Sequence, residues 1–347
     1  MNERKRIILV SELFFPDETS TAFIMSRISQ YLSKNFNLLV LAGPESYEKD
    51  NSRLVTNENG FKDVQVERAW APSLDKNNLL ARTLRLAVLS FGLAWLVFVR
   101  TKRSDVVLTV SNPAPLIVLL ALIRKLKKFS LLLLVHDVFP ENSVAAGLLR
   151  KDSIFHKLIK LIFDWSYSAP DLIVTIGRDM AEVVADKTKG KKQRVRIIEN
   201  WADLDLVKPI PRELSRIELW RLNENIVIQY AGNIGRAQGI LELIDIISLA
   251  HNKIIHYVFL GSGALVNSLT QKIRGAGNIT IGGAYSRDDQ SIVLGSCDIA
   301  LVILGRAMYG LGVPSKTYNI MAAGKPILYI GPKNSEIYRL VCEFNIG

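Results

Sequence analysis

The sequence predicts an α/β protein made of two doubly wound parallel-sheet domains. Three observations predict it. Short β-branched or leucine-rich runs alternate with longer helical stretches, the pattern of parallel strands covered on both faces. The alternation breaks once, over residues 199–225, and then restarts. The length of 347 residues suits about two domains of ~150 residues.

Taken in order, Ile7–Val10 reads as a strand, followed by the loop SELFFPDETSTAF and a helix over Phe23–Ser33. Leu38–Ala42 is a second strand, and residues 57–69 read as a hairpin or an edge excursion. A helix over Leu79–Arg100 leads to strand Asp105–Val110; after SNPAP, Leu116–Leu126 is helical and Leu131–Val135 is a strand ending in HDVFPEN. Helix Ile154–Ser168, strand Leu172–Thr175, helix Asp179–Lys187 and strand Val195–Ile198 complete this half. Residues 199–225 carry prolines and mixed charge without a period, which reads as a connection between domains. The second half runs strand Ile226–Tyr230, helix Ile240–His251, strand His256–Leu260, helix Leu265–Arg274, strand Ile279–Ile281, helix Arg287–Gly295 and strand Ile299–Val302. The expected divisions are 1–200, a 201–225 connection, and 226–347.

Hydrophobic residues make up 49% of the chain, enough for sizeable cores and far from a disordered composition. Lysine and arginine total 44 against 33 acids, a net charge of +11 that favours acidic partners. The positive charge forms no stripe interleaved with aromatics, so nucleic acid is not the expected partner. Cys297 and Cys342 lie in no metal-ligand spacing and are expected as small core residues. The first apolar run is too short for a signal-peptide core and reads as a buried strand. Leu84–Val99 is apolar apart from Arg85, and Pro115–Val135 holds two apolar runs split by RKLKK; neither uninterrupted run reaches the ~20 residues of a spanning helix. Core helices explain them, with a surface helix dipping into a bilayer as the alternative, because Arg82, Arg85, Arg100, Lys102 and Arg103 flank the first.

Residues 305–336, GRAMYGLGVPSKTYNIMAAGKPILYIGPKNSE, concentrate the residues suited to a phosphorylated ligand. Glycines and prolines give tight turns. Ser315 and Lys316 open a helix expected over 315–323, where free N–H groups and an ammonium attract anions. Gly232, Asn233, Gly235 and Arg236 form another strand-to-helix turn: small residues let the backbone approach a diphosphate, and Arg236 can grip it bidentately or stand as a solvated surface arginine. His136 ends a buried strand, where ligands of such sheets sit, and is either a site residue or a satisfied core histidine.

SELFFPDETSTA (11–22), HDVFPE (136–141), YAGNIGRAQG (230–239), FLGSG (259–263), NITIGGAYSRDDQ (278–290), CDIALV (297–302) and VPSKTYNIMAAGKPIL (313–328) together resemble, in order and spacing, the family-four retaining glycosyltransferases. The PSK…N…AAGKP form is similar to the subgroup that makes capsule, O-antigen and colanic-acid-type exopolysaccharides. The resemblance implies the GT-B fold, two Rossmann-like domains facing each other across a cleft, with an acceptor-binding first domain and a nucleotide-sugar-binding second one. It also implies that the chain lacks the family's last helices.

Under the resemblance, Arg236 and a lysine soon after hold the donor phosphates; that position reads Gln238-Gly239, and Lys316 stands ready to supply the charge. The turns holding Gly232, Asn233, Gly235, Gly261 and Gly263, with Ser315, Lys316 and Asn319, are the expected donor contacts. The family's paired glutamates fall on Leu311 and Asn319, so both acids are absent; Asn319 can hydrogen-bond a ribose or sugar hydroxyl or serve as an ordinary helix residue. Glu336 is a donor contact or a surface acid at a helix start. His136 is expected at the transferred sugar, making His136, Arg236 and Lys316 the catalytic set. Glu12, Asp17 and Thr21 are expected at the acceptor, Asp17 being also a turn former. Glu141 binds acceptor or caps the next helix.

The implied reaction is retaining transfer of an N-acetylated or deoxy hexose from a nucleotide diphosphate, UDP-linked ahead of GDP-linked, to a lipid-linked saccharide. It needs no metal or other cofactor, and no nucleic acid. The expected place is the cytoplasm, at the inner leaflet of the cytoplasmic membrane. The competing readings are a truncated or inactive paralogue, a nucleotide-sugar epimerase of similar fold, and a basic nucleic-acid-binding protein.

Overall fold

The computed structural model describes residues 4–17, 19–45, 64–74, 79–188, 194–235, 239–249 and 254–347. The chain divides into two compact units. The first holds residues 1–143, 149–176 and 181–198; the second holds 144–148, 177–180 and 199–347.

Strands β1 (Arg6–Ser11), β2 (Asn37–Ala42), β3 (Gln65–Arg68), β4 (Val106–Val110), β5 (Ser130–Val135), β6 (Leu172–Thr175) and β7 (Val195–Ile197) form the first unit's sheet. The order is β3-β2-β1-β4-β5-β6-β7, and every pairing is parallel. Ile7 stands beside Leu38 on one side and Val106 on the other. Central strands of such a sheet are covered on both faces, which is why they read as unbroken apolar runs rather than alternating ones.

Helix α1 (Ser20–Ser33) connects β1 to β2. Helices α2 (Leu79–Arg100), α3 (Ala114–Lys127) and α5 (Ile154–Tyr167), with the short α4 (Glu141–Ala145) before α5, connect strands that progress the other way along the sheet. Right-handed crossovers therefore put α1 on one face and α2, α3 and α5 on the opposite face. Leu89, Leu93, Ala94 and Val97 of α2 and Leu116 and Leu120 of α3 close the core over Ile8, Val10, Leu39 and Val107.

The second unit repeats the plan with β8 (Ile226–Ala231), β9 (Ile255–Leu260), β10 (Ile279–Gly282), β11 (Ile299–Ile303) and β12 (Ile327–Ile330), ordered β10-β9-β8-β11-β12 and all parallel. Its helices are α7 (Ile240–Leu249), α8 (Val266–Lys272), α9 (Gln290–Gly295), α10 (Lys316–Ala322) and α11 (Glu336–Phe344); α6 (Arg178–Lys187) precedes β7. Ile228, Tyr230, Ile240, Ile244, Phe259, Leu269 and Leu301 build its core.

Five expectations change. Residues 65–68 form a parallel edge strand against β2, so the edge-excursion reading of 57–69 holds there and the hairpin does not; 57–63 lie outside the described residues. Helix α1 starts three residues before Phe23, because the Thr19 hydroxyl accepts the Ala22 N–H at 3.2 Å and nucleates the turn from residues that read as loop. Cys342 is exposed on α11, not a core residue, whereas Cys297 is buried. Helix α2 covers Leu79–Arg100 as expected, but its Leu80–Arg100 stretch, which read as too short to span, is long and apolar enough, by length and composition, to cross a membrane. The stretch expected as a connection, 201–225, groups with the second unit: Ile217 and Leu222 are buried, Arg212 pairs with Asp298, and the Arg216 N–H donates to Ser296 Oγ at 2.8 Å.

Candidate functional site

In open parallel sheets of this kind, ligands sit outside the carboxyl ends of the strands, where the strand order reverses. In the first sheet that point lies between β1 and β4, and in the second between β8 and β11.

At the first edge, Glu12 follows β1 directly. Burial raises its carboxyl pKa, and the Arg85 guanidinium, 3.3 Å away, opposes the shift. Gly43 is needed beside it, since a Cβ there would overlap the Glu12 carbonyl. Asp17 closes a turn, its N–H donating to the Phe14 carbonyl at 3.0 Å, and Thr21 sits in the first turn of α1. On the neighbouring strands, Ser111 Oγ accepts the N–H groups of His136 and Asp137, both at 3.0 Å. Asn112 and Asn142 donate to the two Asp137 carboxylate oxygens at 2.7 and 2.8 Å. Burial nevertheless raises the Asp137 pKa.

These bonds fix the backbone that carries His136. The His136 Nε2 atom is buried and has no hydrogen-bond partner, and burial lowers the imidazole pKa to about 4. At neutral pH the ring is therefore uncharged, with a nitrogen aimed at nothing in the protein. Asn112 and Asp137 were not read as a pair from sequence, since they lie 25 residues apart. Glu141 instead is engaged: Lys187 Nζ donates to its two oxygens at 2.8 and 2.9 Å, and Lys160 lies at 3.3 Å. It starts α4 within a cluster completed by Asp164, 2.6 Å from Lys187.

At the second edge, the turns after β8 and β9 pack backbone on backbone. Gly232 and Gly261 take φ of 142° and 138°, and Gly263 takes 151°. A Cβ on Gly261 would enter the Gly232 carbonyl, and one on Gly263 would enter the Ile234 carbonyl and lie 2.6 Å from Asn233 Oδ1. The two turns are tied by Gly232 N–H to the Leu260 carbonyl at 2.9 Å and Ile234 N–H to the Ser262 carbonyl at 2.8 Å. Asn233 is exposed and its carbonyl accepts the Tyr230 hydroxyl at 2.7 Å; Gly235 is buried. Arg236 lies outside the described residues.

Lys316 opens α10 and reaches back over β8. Its Nζ is 3.2 Å from the centroid of the Tyr230 ring, and a Cβ on Gly232 would meet its Cδ at 3.6 Å and Nζ at 3.9 Å. The absence of a side chain at Gly232 thus leaves room for the lysine. The stem is partly accessible, but Nζ is buried and has no hydrogen-bond partner. Burial pushes its pKa well below the ordinary 10.5. A lysine ammonium without an acceptor is costly to hold away from water, and contact with an aromatic face offsets only part of that. An anion would satisfy it. Tyr230 was legible only as a strand residue; its hydroxyl is pushed up by burial and then by nearby Tyr285, another residue sequence reasoning did not single out.

Ser315 precedes α10 without capping it through its side chain, and Asn319 lies half-buried on the same helix. Glu336 is buried at the first turn of α11, not on the surface. Its carboxylate accepts the Arg178 N–H at 2.6 Å, Nε at 3.1 Å and Nη2 at 2.9 Å. Among the described residues, no three His, Cys, Asp or Glu side chains gather as a metal site.

Residues 28–206 match glycosyltransferase family 4. The chain is 37% identical over 347 residues to the probable glycosyltransferase WbjE of Pseudomonas aeruginosa, covering 99% of this chain and 84% of the relative. Among solved structures, Anabaena HepE in complex with UDP and glucose matches with a TM-score of 0.66 at 14% identity, over 97% of this chain and 89% of HepE. WaaG, a glycosyltransferase involved in lipopolysaccharide biosynthesis, matches with a TM-score of 0.68 at 13% identity, over 98% and 84%. These structures share the GT-B fold, and the two parallel sheets described above are its halves. The chain belongs to glycosyltransferase family 4.

Proposed function

We propose that this glycosyltransferase moves a hexose, N-acetylated or deoxy, from a UDP-linked donor to a lipid-linked saccharide, with retention, in bacterial surface-polysaccharide synthesis at the inner leaflet. One observation carries the donor half: the buried Lys316 ammonium, without a hydrogen-bond partner, at the strand-order reversal of the second sheet. A diphosphate is the ligand class that fits one cation beside a glycine-lined turn. The UDP of the HepE complex supports the choice of base, and the names of WbjE and WaaG support the product class.

In this reading, chemistry is mostly stabilisation of the departing diphosphate plus alignment. Lys316 meets the charge that develops on the leaving phosphate oxygens, and Arg236 is the second cation. His136, neutral at working pH, hydrogen-bonds the transferred sugar through Nε2. Asn319 contacts a sugar or ribose hydroxyl. Glu12, Asp17 and Thr21 line the acceptor side. Transfer proceeds without a metal, the two cations taking that role.

The test is a thermal-shift panel of UDP, GDP, ADP and dTDP sugars, because a ligand bound only by the folded state raises the melting temperature. Selective stabilisation by UDP sugars is expected, and silence towards every nucleotide refutes the donor reading. Stabilisation without turnover on any lipid-linked acceptor identifies an inactive paralogue instead. An Arg236→Ala protein that binds UDP normally removes that residue from the phosphate site.

A further inference from the structure

Helix α2 has two unlike sides. Leu89, Leu93, Ala94 and Val97 are locked in the first unit's core, yet Phe91 and Trp95 on the other side are 64% and 65% exposed. The same holds on α5, where Leu158 and Leu161 are 55% and 69% exposed. Helix α3 packs against both and adds exposed Leu122 and Leu126. Three adjacent helices thus present one outward apolar surface, larger than scattered exposed leucines would give.

Its charge is one-sided. Along α2, α3 and α5 the only acid is Asp164, and it is bound to Lys160 and Lys187. Every other charged side chain on these helices is arginine or lysine; Arg85, Arg100, Arg124 and Lys160 meet Glu12, Glu67, Asp171 and Glu141 of neighbouring segments, while among the described residues no ion pair joins Lys125, Lys127 or Lys157 to an acid. Lys125 Nζ lies 4.7 Å from the centroid of the Trp165 ring and Lys127 Nζ 4.7 Å from that of Phe98. Apolar side chains flanked by cations with aromatic rings at their feet suit the boundary between acyl chains and anionic headgroups.

We propose that the outer surface of α2, α3 and α5 docks on an anionic bilayer, with the helices lying in its plane. This deepens the inner-leaflet placement proposed above and extends it to α3 and α5. Helix α2 stays on the sheet although it is long enough to span, because withdrawing it would empty the core of Leu89, Leu93 and Val97. A second copy of the chain fits poorly: a two-fold interface would bring the same lysine-bearing surface, with Lys125, Lys127 and Lys157, against itself.

The experiment is co-sedimentation with vesicles of phosphatidylglycerol and phosphatidylcholine, against phosphatidylcholine alone. The wild type is expected to partition onto the anionic vesicles and to be released by alkaline carbonate. Leu158→Asp/Leu161→Asp should lower partitioning at least about tenfold. Lys125→Gln and Lys157→Gln should each lower it about fivefold. UDP affinity should be unchanged in all of these, so loss of docking is separable from failure of the donor reading. Leu158→Ser/Leu161→Ser, with an unaltered melting temperature, guards against misfolding. Three results overturn the proposal: equal partitioning of the Asp variant and wild type, carbonate-resistant insertion, or a dimer in light scattering that the Asp variant abolishes.

Discussion

Replacing Lys316 with methionine tests the site most directly, because it should improve the empty protein while damaging the loaded one. The substitution keeps an unbranched stem of similar length and removes the charge. Exchanging a buried ionic group for an apolar one is neutral to stabilising by about 1–4 kcal/mol. The contact between Lys316 and Tyr230 returns up to about 2 kcal/mol to the wild type. The expected net gain for ligand-free Lys316→Met is about 1–2 kcal/mol, or a melting temperature higher by about 1–3 °C for a chain of this size. The pH dependence has a definite sign. The folded pKa lies below the ordinary 10.5. Between the lowered value and 10.5 the unfolded chain holds a proton that the folded chain does not, so wild-type stability rises with pH there. The variant should lack that rise.

With UDP the order inverts. Loss of a charge-assisted hydrogen bond costs about 1.5–3 kcal/mol, so UDP should bind the variant about 10- to 150-fold more weakly. Binding to wild type should also take up a proton wherever free Lys316 is neutral, since the phosphate restores its pKa. Calorimetry in buffers of different ionisation enthalpy reads that proton, and the variant should show none. A Lys316→Met protein that melts earlier than wild type and binds UDP equally well would show that the lysine is a structural residue.

Three further outcomes are expected. His136→Gln should remove a stability loss that wild type shows on acidification from pH 6.5 towards 4: the folded ring resists the proton that the unfolded ring accepts, worth about 3 kcal/mol at most, and urea midpoints along that range measure it. Gly261→Ala should cost at least about 2 kcal/mol, because the added Cβ meets the Gly232 carbonyl at a φ of 138°, and UDP affinity should fall with it; an unchanged denaturation midpoint would contradict the packing described. Glu336→Ala should cost about 2–3 kcal/mol, reduced from the full value of a buried pair because Arg178 is partly exposed, while UDP affinity stays the same; weakened UDP binding at unchanged stability would return Glu336 to the donor site.

The fold was legible because central parallel strands are continuous apolar runs. Leu38–Ala42 and Leu131–Val135 announce themselves without any partner being known. The glycines of the second unit were legible as positions that need glycine, but the reason differs. Gly261 and Gly263 are required by an adjacent backbone, and only Gly232 opens towards the lysine. Helix starts were less legible: Thr19 reads as loop until its hydroxyl is seen to cap α1. Long-range partners were not legible at all. Nothing in sequence joins Arg178 to Glu336, 158 residues on, or puts Tyr230 beneath Lys316. The outward apolar face of α5 was hidden for a different reason. A helix rich in isoleucine and leucine reads as core until strand order decides which side the sheet covers.

The absence of acids at 311 and 319, where the resemblance led one to expect them, acquires a physical consequence from Lys316. Leu311 is buried as an ordinary apolar residue. Asn319 lies three residues beyond Lys316 on α10, the spacing at which helix side chains meet. A glutamate at 319 would be within reach of the ammonium and would occupy it in the absence of ligand. An amide carries no charge, so Lys316 stays free for an anion. Asn319→Glu supplies the acid that the family resemblance led one to expect there and should therefore hurt this protein. An internal pair of about 1 kcal/mol must be broken before phosphate binds, which weakens UDP about fivefold and cancels the proton uptake, because Lys316 would already be charged. Titration calorimetry of UDP against Asn319→Glu decides it. Tighter binding with proton uptake intact would mean that the nucleotide wants a carboxylate at 319 and that Lys316 is not held in reserve for the phosphate.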